Sequence, residues 1–396
     1  MLRHDTFIYV LSIHHNLFLT KALAFPLLLF VIPISLFLLE FIFAPPAPVV
    51  NLLITYTMIS RYAQYPLKHL RKPLLSNLVT VRRTTAPTTS VVWYSSHAPL
   101  VKPETTSRRK VTIQTLERLH KKGEPITVLT AHDFTSGLVA DAAGIEVVLV
   151  GDSLAMVALG MEDTNGLLME EMLVHCRSVA RAVSGAFTVA DLPMGTYESS
   201  PEQAVQSAIR IVKEGRMKGV KMEVTRDMVP TIKRVSVAGI PVVAHIGLTP
   251  QRHHALGGFR VQAKSAAGAM SLLQDAIAVQ EAGASMVLIE AVPAEIASIV
   301  TKRLQIPTIG IGSGNGCSGQ VLVQVDMAGN FPPGRFVPKF VKTYADVWGE
   351  SLRGIERYKH EVKSRAFPSP DHTYPISQES LAEFRRLVEG EERKIE

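Results

Sequence analysis

Cysteine is nearly absent from this 396-residue chain: Cys176 and Cys317 are its only two. That excludes a disulfide framework and any Cys-rich zinc module. Aromatic residues are scarce at 7%, and charged residues make up 19%. The apolar share is still 47%, enough for a packed core, so disorder is excluded over most of the length. The sharpest local deficit is of acid: from Phe41 to Pro103 there is no Asp or Glu. Residues 1–103 carry nine basic residues against two acidic ones, Asp5 and Glu40, and so hold the whole formal charge of +7. The other 293 residues balance at 33 of each sign, which leaves no global electrostatic reason to expect nucleic acid as a partner.

The first hundred residues divide in two. Ala22–Leu39 is an uncharged run rich in Leu, Ile and Phe, long enough to span a bilayer but interrupted by Pro26 and Pro33 and followed by Glu40. Residues 1–57 therefore read as a hydrophobic extension, either an over-extended start or a membrane anchor. A membrane is a partner only if residues 22–43 are a real span. From Met58 the chain is acid-poor, with Arg, Ser and Thr frequent, as in Arg82-Arg83-Thr84-Thr85. That is the composition of an organelle presequence. Residues 58–104 are thus expected to be a mitochondrial leader starting at Met58 and directing the protein to the matrix.

From about residue 105 to 375, short apolar runs alternate with helical stretches. The expected strands are Ile126–Ala131, Glu146–Val150, Phe187–Asp191, Gly219–Val224, Pro241–His245, Ser285–Glu290, Pro307–Ile311 and Val321–Asp326. They are nearly continuous in Val, Ile and Leu, as strands buried on both faces should be. A helix is expected over Pro201–Glu214, with Ser200 as its cap and Pro201 at its first position. Eight strands with intervening helices predict an α/β chain folded as a (β/α)8 TIM barrel. An open doubly wound sheet lacks support, because no Gly-x-Gly-x-x-Gly follows the first strand. Thr343–Tyr358 reads as a helix placed to cover one barrel end. In the tail, 376–396, Ser380–Val388 reads as a surface or assembly helix with Leu381, Phe384, Leu387 and Val388 on one face.

Polar residues punctuate the strand ends. Asp152 follows the second strand and Asp191 ends the third. Lys221 and Glu223 lie on the fourth, His245 ends the fifth and Glu290 the sixth. In a closed barrel these ends share one rim, where the active sites of this fold are built. Lys221 and Glu223, two apart, point to the same side of their strand. A single Asp after a strand is usually a turn or helix cap, and a lone His at a strand end is more often a structural residue than a ligand. The set of four carboxylates, Asp152, Asp191, Glu223 and Glu290, is different, because each interrupts or ends an apolar strand, where burial of an unpaired charge is costly. A hard cation would offset that cost, Mg²⁺ rather than zinc given the absence of Cys ligands.

Between about Val111 and Tyr374 the motifs resemble the ketopantoate hydroxymethyltransferase family. The resemblance is carried by Thr130-Ala131-His132-Asp133, Gly151-Asp152-Ser153-Leu154, Asp191-Leu192-Pro193, Lys221-Met222-Glu223 and His245-Ile246-Gly247-Leu248-Thr249-Pro250-Gln251. It continues in Gly257-Gly258-Phe259-Arg260-Val261-Gln262, Glu290-Ala291-Val292-Pro293, Gly310-Ile311-Gly312-Ser313-Gly314 and Val337-Pro338-Lys339-Phe340. It implies a barrel of the phosphoenolpyruvate/pyruvate-binding type. The implied reaction moves a hydroxymethyl group from 5,10-methylenetetrahydrofolate to 3-methyl-2-oxobutanoate, giving 2-dehydropantoate, the first step of pantothenate synthesis, through a metal-stabilised enolate. It further implies Asp152, Asp191 and Glu223 as Mg²⁺ positions, and Asp152, Ser153, Asp191 and Lys221 as substrate contacts. Glu290 would be the proton acceptor and His245 a residue behind the site. The resemblance also implies a homo-oligomer, commonly a decamer.

Ala155, Ala244 and Ala263 stand where the family usually has Gly, which predicts altered loops wherever the backbone needs a positive φ. Three other readings stay open. A Mg²⁺-dependent C–C lyase of the isocitrate lyase and phosphoenolpyruvate mutase group is one, although the lyase signature Lys-Lys-Cys-Gly-His is absent. A non-catalytic paralogue is another, opposed by the intact Asp152, Asp191, Lys221, Glu223 and Glu290 set. Nucleic-acid binding through the basic leader is the third, disfavoured because the leader has the features of a removable signal.

Overall fold

The computed structural model describes residues 108–395. The hydrophobic extension, the leader and the candidate span at residues 22–43 lie outside the described residues. Among the described residues, no helix is long and apolar enough to cross a membrane.

The chain enters through α1 (Ile113–Lys122). The Thr112 hydroxyl accepts the Thr115 backbone N–H, and Thr115 returns the bond to the Thr112 N–H, closing the helix start. Strands and helices then alternate: β1 (Ile126–Thr130), α2 (Phe134–Ala142), β2 (Val147–Val150), the short α3 (Leu154–Val157), α4 (Met169–Ala182) and β3 (Phe187–Asp191). They continue through α5 (Pro201–Lys213), β4 (Gly219–Glu223), α6 (Val229–Val237), β5 (Val242–Gly247), the one-turn α7 (His253–Leu256), α8 (Ala266–Glu281), β6 (Met286–Glu290) and α9 (Ala294–Arg303). Last come β7 (Thr308–Ile311), β8 (Gly319–Leu322), α10 (Gln324–Met327), α11 (Val347–Lys363) and α12 (Gln378–Ile395). As expected, Ser200 caps α5 by accepting the Gln203 N–H at 3.1 Å, with Pro201 at the first helical position.

All eight strands pair in parallel with their sequence neighbours, and β8 closes on β1, giving the expected closed barrel. Side-chain alternation sorts the strands into two apolar layers. Val148, Val150, Val220, Met222, Val242, Ala244, Val287 and Ile289 face outward and pack beneath the helices. Val147, Leu149, Val189, Val243, Met286, Leu288 and Ile309 face inward and fill the barrel. Leu116 of α1 joins that inner cluster, with Ile113 and Leu119 packed beside it.

Three expectations need correction. The last strand is Gly319–Leu322 and does not reach Asp326, because the chain turns into α10 at Gln324. No helix separates β7 from β8: residues 312–318 include Gly312, Gly314 and Gly316, and glycine is a poor helix former. The expected helix over Thr343–Tyr358 starts at Val347, runs to Lys363 and buries none of its residues, so it does not serve as a packed cover.

Candidate functional site at the strand ends

The inward-facing row that is apolar in the middle of the barrel becomes polar at the strand ends. Continuing inward positions by twos leads from Val189 to Asp191, from Val243 to His245 and from Leu288 to Glu290, and on β4 puts Lys221 and Glu223 in the row. Strand register sets their neighbours. Asp191 pairs with Lys221, and Glu223 with His245. Gly247 pairs with Glu290; its φ of 92° and the 2.4 Å that a Cβ would leave to the Glu290 carbonyl oxygen make glycine the residue that fits there.

The polar groups form one connected set. Lys221 Nζ lies 2.8 Å from Asp191 Oδ1, with the lysine side chain 6% and the aspartate side chain 2% exposed. The Asp152 backbone N–H donates to Asp191 Oδ2 at 2.9 Å, so one carboxylate binds both neighbours. Lys221 Nζ also lies 3.4 Å from His245 Nδ1, and His245 Nε2 lies 3.2 Å from Glu290 Oε2. Because an ammonium only donates, Nδ1 accepts and Nε2 carries the imidazole proton towards Glu290. Ser153 is half-buried beside Asp152, and its Oγ would lie 3.1 Å from a Cβ placed on Gly151.

Electrostatics define what the set needs. Three buried carboxylates, Asp152, Asp191 and Glu223, face one buried ammonium, Lys221. Burial works against the Lys221 charge, but Asp191, Asp152 and Glu223 together hold it above its ordinary value. Burial pushes Asp191 up to about 7 against the pull of the Lys221 ammonium 2.8 Å away, and Asp152 adds to the rise. Burial pushes Glu223 up to about 9, and Asp152 adds to the rise. Burial and the Lys221 charge lower His245, which makes its imidazole neutral. Glu223 Oε2 is buried with no hydrogen-bond partner. A hard divalent cation fits this oxygen set, since it would satisfy the orphaned oxygen and balance the excess negative charge.

Two residues of this network had no role in the sequence reading. Gln251 donates its side-chain amide to Asp152 Oδ2 at 2.8 Å and to the Leu192 carbonyl at 3.0 Å. Its backbone N–H donates to Glu223 Oε1 at 3.0 Å. Tyr197 donates its hydroxyl to Gln251 Oε1 at 2.6 Å and accepts the Glu223 backbone N–H at 3.3 Å. Gln251 closes the motif that begins at His245, which was its only sequence signal; Tyr197 had none. Of the unusual alanines, Ala155 and Ala244 are fully buried without positive φ, whereas Ala263 adopts φ 56°.

A closed parallel barrel with a buried acid–base and carboxylate cluster on its strand ends has the architecture of a (β/α)8-barrel enzyme. The family model for ketopantoate hydroxymethyltransferase matches residues 110–370. The chain is 67% identical over 306 residues to 3-methyl-2-oxobutanoate hydroxymethyltransferase of Emericella nidulans, covering 77% of this chain and 88% of that protein. It is 45% identical over 288 residues to 3-methyl-2-oxobutanoate hydroxymethyltransferase 1, mitochondrial, of Arabidopsis thaliana, covering 72% and 83%. Among solved structures it is similar to phosphonopyruvate hydrolase in complex with oxalate and Mg++, with TM-score 0.45 and 14% identity over 72% of this chain and 99% of that one. The chain belongs to the ketopantoate hydroxymethyltransferase family and is an enzyme of that hydroxymethyltransferase class.

Proposed function

We propose that this enzyme adds a hydroxymethyl group to 3-methyl-2-oxobutanoate, giving 2-dehydropantoate, with 5,10-methylenetetrahydrofolate supplying the carbon, water the hydroxyl oxygen, and tetrahydrofolate leaving, and with Mg²⁺ held by Asp152, Asp191 and Glu223. The observation that carries the metal is Glu223 Oε2, buried and unpartnered inside a set of carboxylates that outnumbers its one ammonium. Bound there, Mg²⁺ supplies Lewis-acid stabilisation of the negative charge that develops when the carbon beside the ketone is deprotonated. Lys221, kept cationic by its carboxylate neighbours, pairs with the carboxylate of the oxo acid, and Ser153 contacts it from the next loop. Glu290, 15% exposed, accepts the proton from the carbon; neutral His245 lies beside its carboxylate, with Nε2 3.2 Å from Oε2. Gln251 and Tyr197 orient Asp152 and Glu223 from behind.

Address and assembly belong to the same proposal. The acid-poor leader, together with the mitochondrial designation of the Arabidopsis relative, supports import into the mitochondrial matrix. A homo-oligomer is supported by α11, which exposes Trp348, Leu352, Ile355, Tyr358 and Val362 along one helical stripe, more contiguous apolar surface than scattered residues account for. The decisive experiment incubates the protein with 3-methyl-2-oxobutanoate, methylenetetrahydrofolate and Mg²⁺. Formation of 2-dehydropantoate is expected, and its absence would overturn the proposal.

A further inference from the structure

Outside the carboxylate site, the barrel mouth carries a second cluster of metal-ligating atoms. Asp163 lies in the loop that follows β2, between α3 and α4, while His253 and His254 form the start of α7, in the loop after β5. His253 Nε2 is 3.6 Å and His254 Nε2 is 4.0 Å from the same oxygen, Asp163 Oδ2. One ligand atom from each residue falls within a 4.8 Å group. We propose that Asp163, His253 and His254 form a second divalent-metal site, of the zinc class, that clasps these two loops together.

Donor chemistry separates this site from the first. Two imidazoles and one carboxylate suit a borderline transition metal such as Zn²⁺, whereas Asp152, Asp191 and Glu223 offer oxygen alone and suit a hard ion. Two of the ligands, His253 and Asp163, are also oriented before any metal arrives. His253 Nδ1 lies 2.9 Å from the Pro250 carbonyl oxygen, so it holds the proton and leaves the Nε2 lone pair facing Asp163. Phe259 stacks on the His253 ring at 5.1 Å with 3° between planes, fixing its tilt. Asp163 Oδ1 accepts the Asn165 N–H at 2.8 Å, which leaves Oδ2 for the histidines. Zinc bonds of about 2.0–2.2 Å place tetrahedral ligands roughly 3.3–3.6 Å apart, so the two histidine–aspartate separations need to close by up to about 0.7 Å and the remaining pair, within 4.8 Å, by up to about 1.5 Å. Three protein ligands leave a fourth position for water.

Position gives the clasp a consequence. His253 is two residues from Gln251, which ties Asp152 to Glu223 in the first site. A metal bridging Asp163 to His253 would therefore fix the loop that carries Gln251.

Zinc titration of the full chain by calorimetry, in saturating Mg²⁺ to fill the oxygen site, tests this. One equivalent of Zn²⁺ is expected to bind to the native protein and equally to the Asp152→Asn variant. His254→Ala and Asp163→Asn are expected to weaken it at least ten-fold. The His254 side chain is 78% exposed, so its removal leaves the fold intact. With Co²⁺ in place of Zn²⁺, visible bands of nitrogen-bound cobalt should appear and be lost in His254→Ala. Failure of the native chain to bind zinc overturns the proposal. So does zinc binding that survives in His254→Ala, or that disappears instead in Asp152→Asn, which would assign the ion to the carboxylate site.

Discussion

The Gln251 side-chain amide donates to Asp152 Oδ2 across 2.8 Å, joining the loop after β5 to the loop after β2. The same residue donates its backbone N–H to Glu223 Oε1 at 3.0 Å. Removing the amide should loosen Asp152 without removing a proposed ligand. Gln251→Leu is expected to raise the Mg²⁺ concentration for half-maximal rate by about 10–100-fold, the usual range for groups that orient metal ligands. Initial rates over a Mg²⁺ series measure it, and an unchanged midpoint would count against the role assigned to Gln251.

Glu290 is the proposed proton acceptor, and Gln preserves its shape. Glu290→Gln should lower kcat by roughly 10²–10⁴-fold, the range for a lost general base. The melting temperature should stay near that of the native enzyme. Undiminished turnover would remove Glu290 from the mechanism.

Mg²⁺ should stabilise the protein through Glu223. At a concentration one hundred times its dissociation constant, a ligand bound only by the native state adds about 2.7 kcal/mol. The melting temperature should therefore rise with added Mg²⁺ and fall back with chelator. Glu223→Gln and Asp152→Asn should blunt that response, and an equal shift in all three proteins would place the ion elsewhere.

Asp141 sets an acid limit on stability. Its carboxylate accepts backbone N–H groups from Ser184, Gly185 and Ala186 at 2.8–3.2 Å, pinning the end of α2 to the segment entering β3. Burial works against its charge, but those hydrogen bonds outweigh it and hold the carboxyl below its ordinary value. The contribution is therefore complete above the unfolded pKa of about 3.9 and is lost as pH falls through the lower folded value. Asp141→Asn should cost about 2 kcal/mol at neutral pH, and its deficit should shrink in that acid window. Denaturant melts at neutral and acid pH check the sign.

Ala263 holds a left-handed backbone, φ 56°, in the loop that leads from α7 to α8. An L-residue there costs about 1–2 kcal/mol. Glycine removes that strain but gives back about 0.4–1 kcal/mol through the unfolded chain. Ala263→Gly should therefore stabilise the enzyme by roughly 0.5–1 kcal/mol net, read from chemical denaturation.

Much of the barrel was legible because strands buried on both faces leave a strong local signal. Runs such as Val147–Val150 and Met286–Glu290 are apolar at nearly every position, and turns bound them. Val321–Asp326 misled because its hydrophobic run continues past the point where the chain turns into α10. The acidic and basic site residues stood out as charges at apolar strand ends. Gln251 and Tyr197 did not, since an amide and a phenol are unremarkable in sequence until closure brings them to Asp152 and Glu223. Likewise, three alanines at usual glycine positions were equivalent on paper, and only backbone torsions separated Ala263 from Ala155 and Ala244.

The sequence by itself determined the parallel barrel, the strand ends that carry charge and the family, because side-chain period and local motif are properties of neighbouring residues. Tertiary structure decided which charges touch. The Lys221–Asp191 pair, the orphaned Glu223 oxygen and the meeting of Asp163 with His253 and His254 depend on strand register and loop approach across the barrel mouth. Those contacts join residues 30 to 91 positions apart, a separation over which sequence period carries no information.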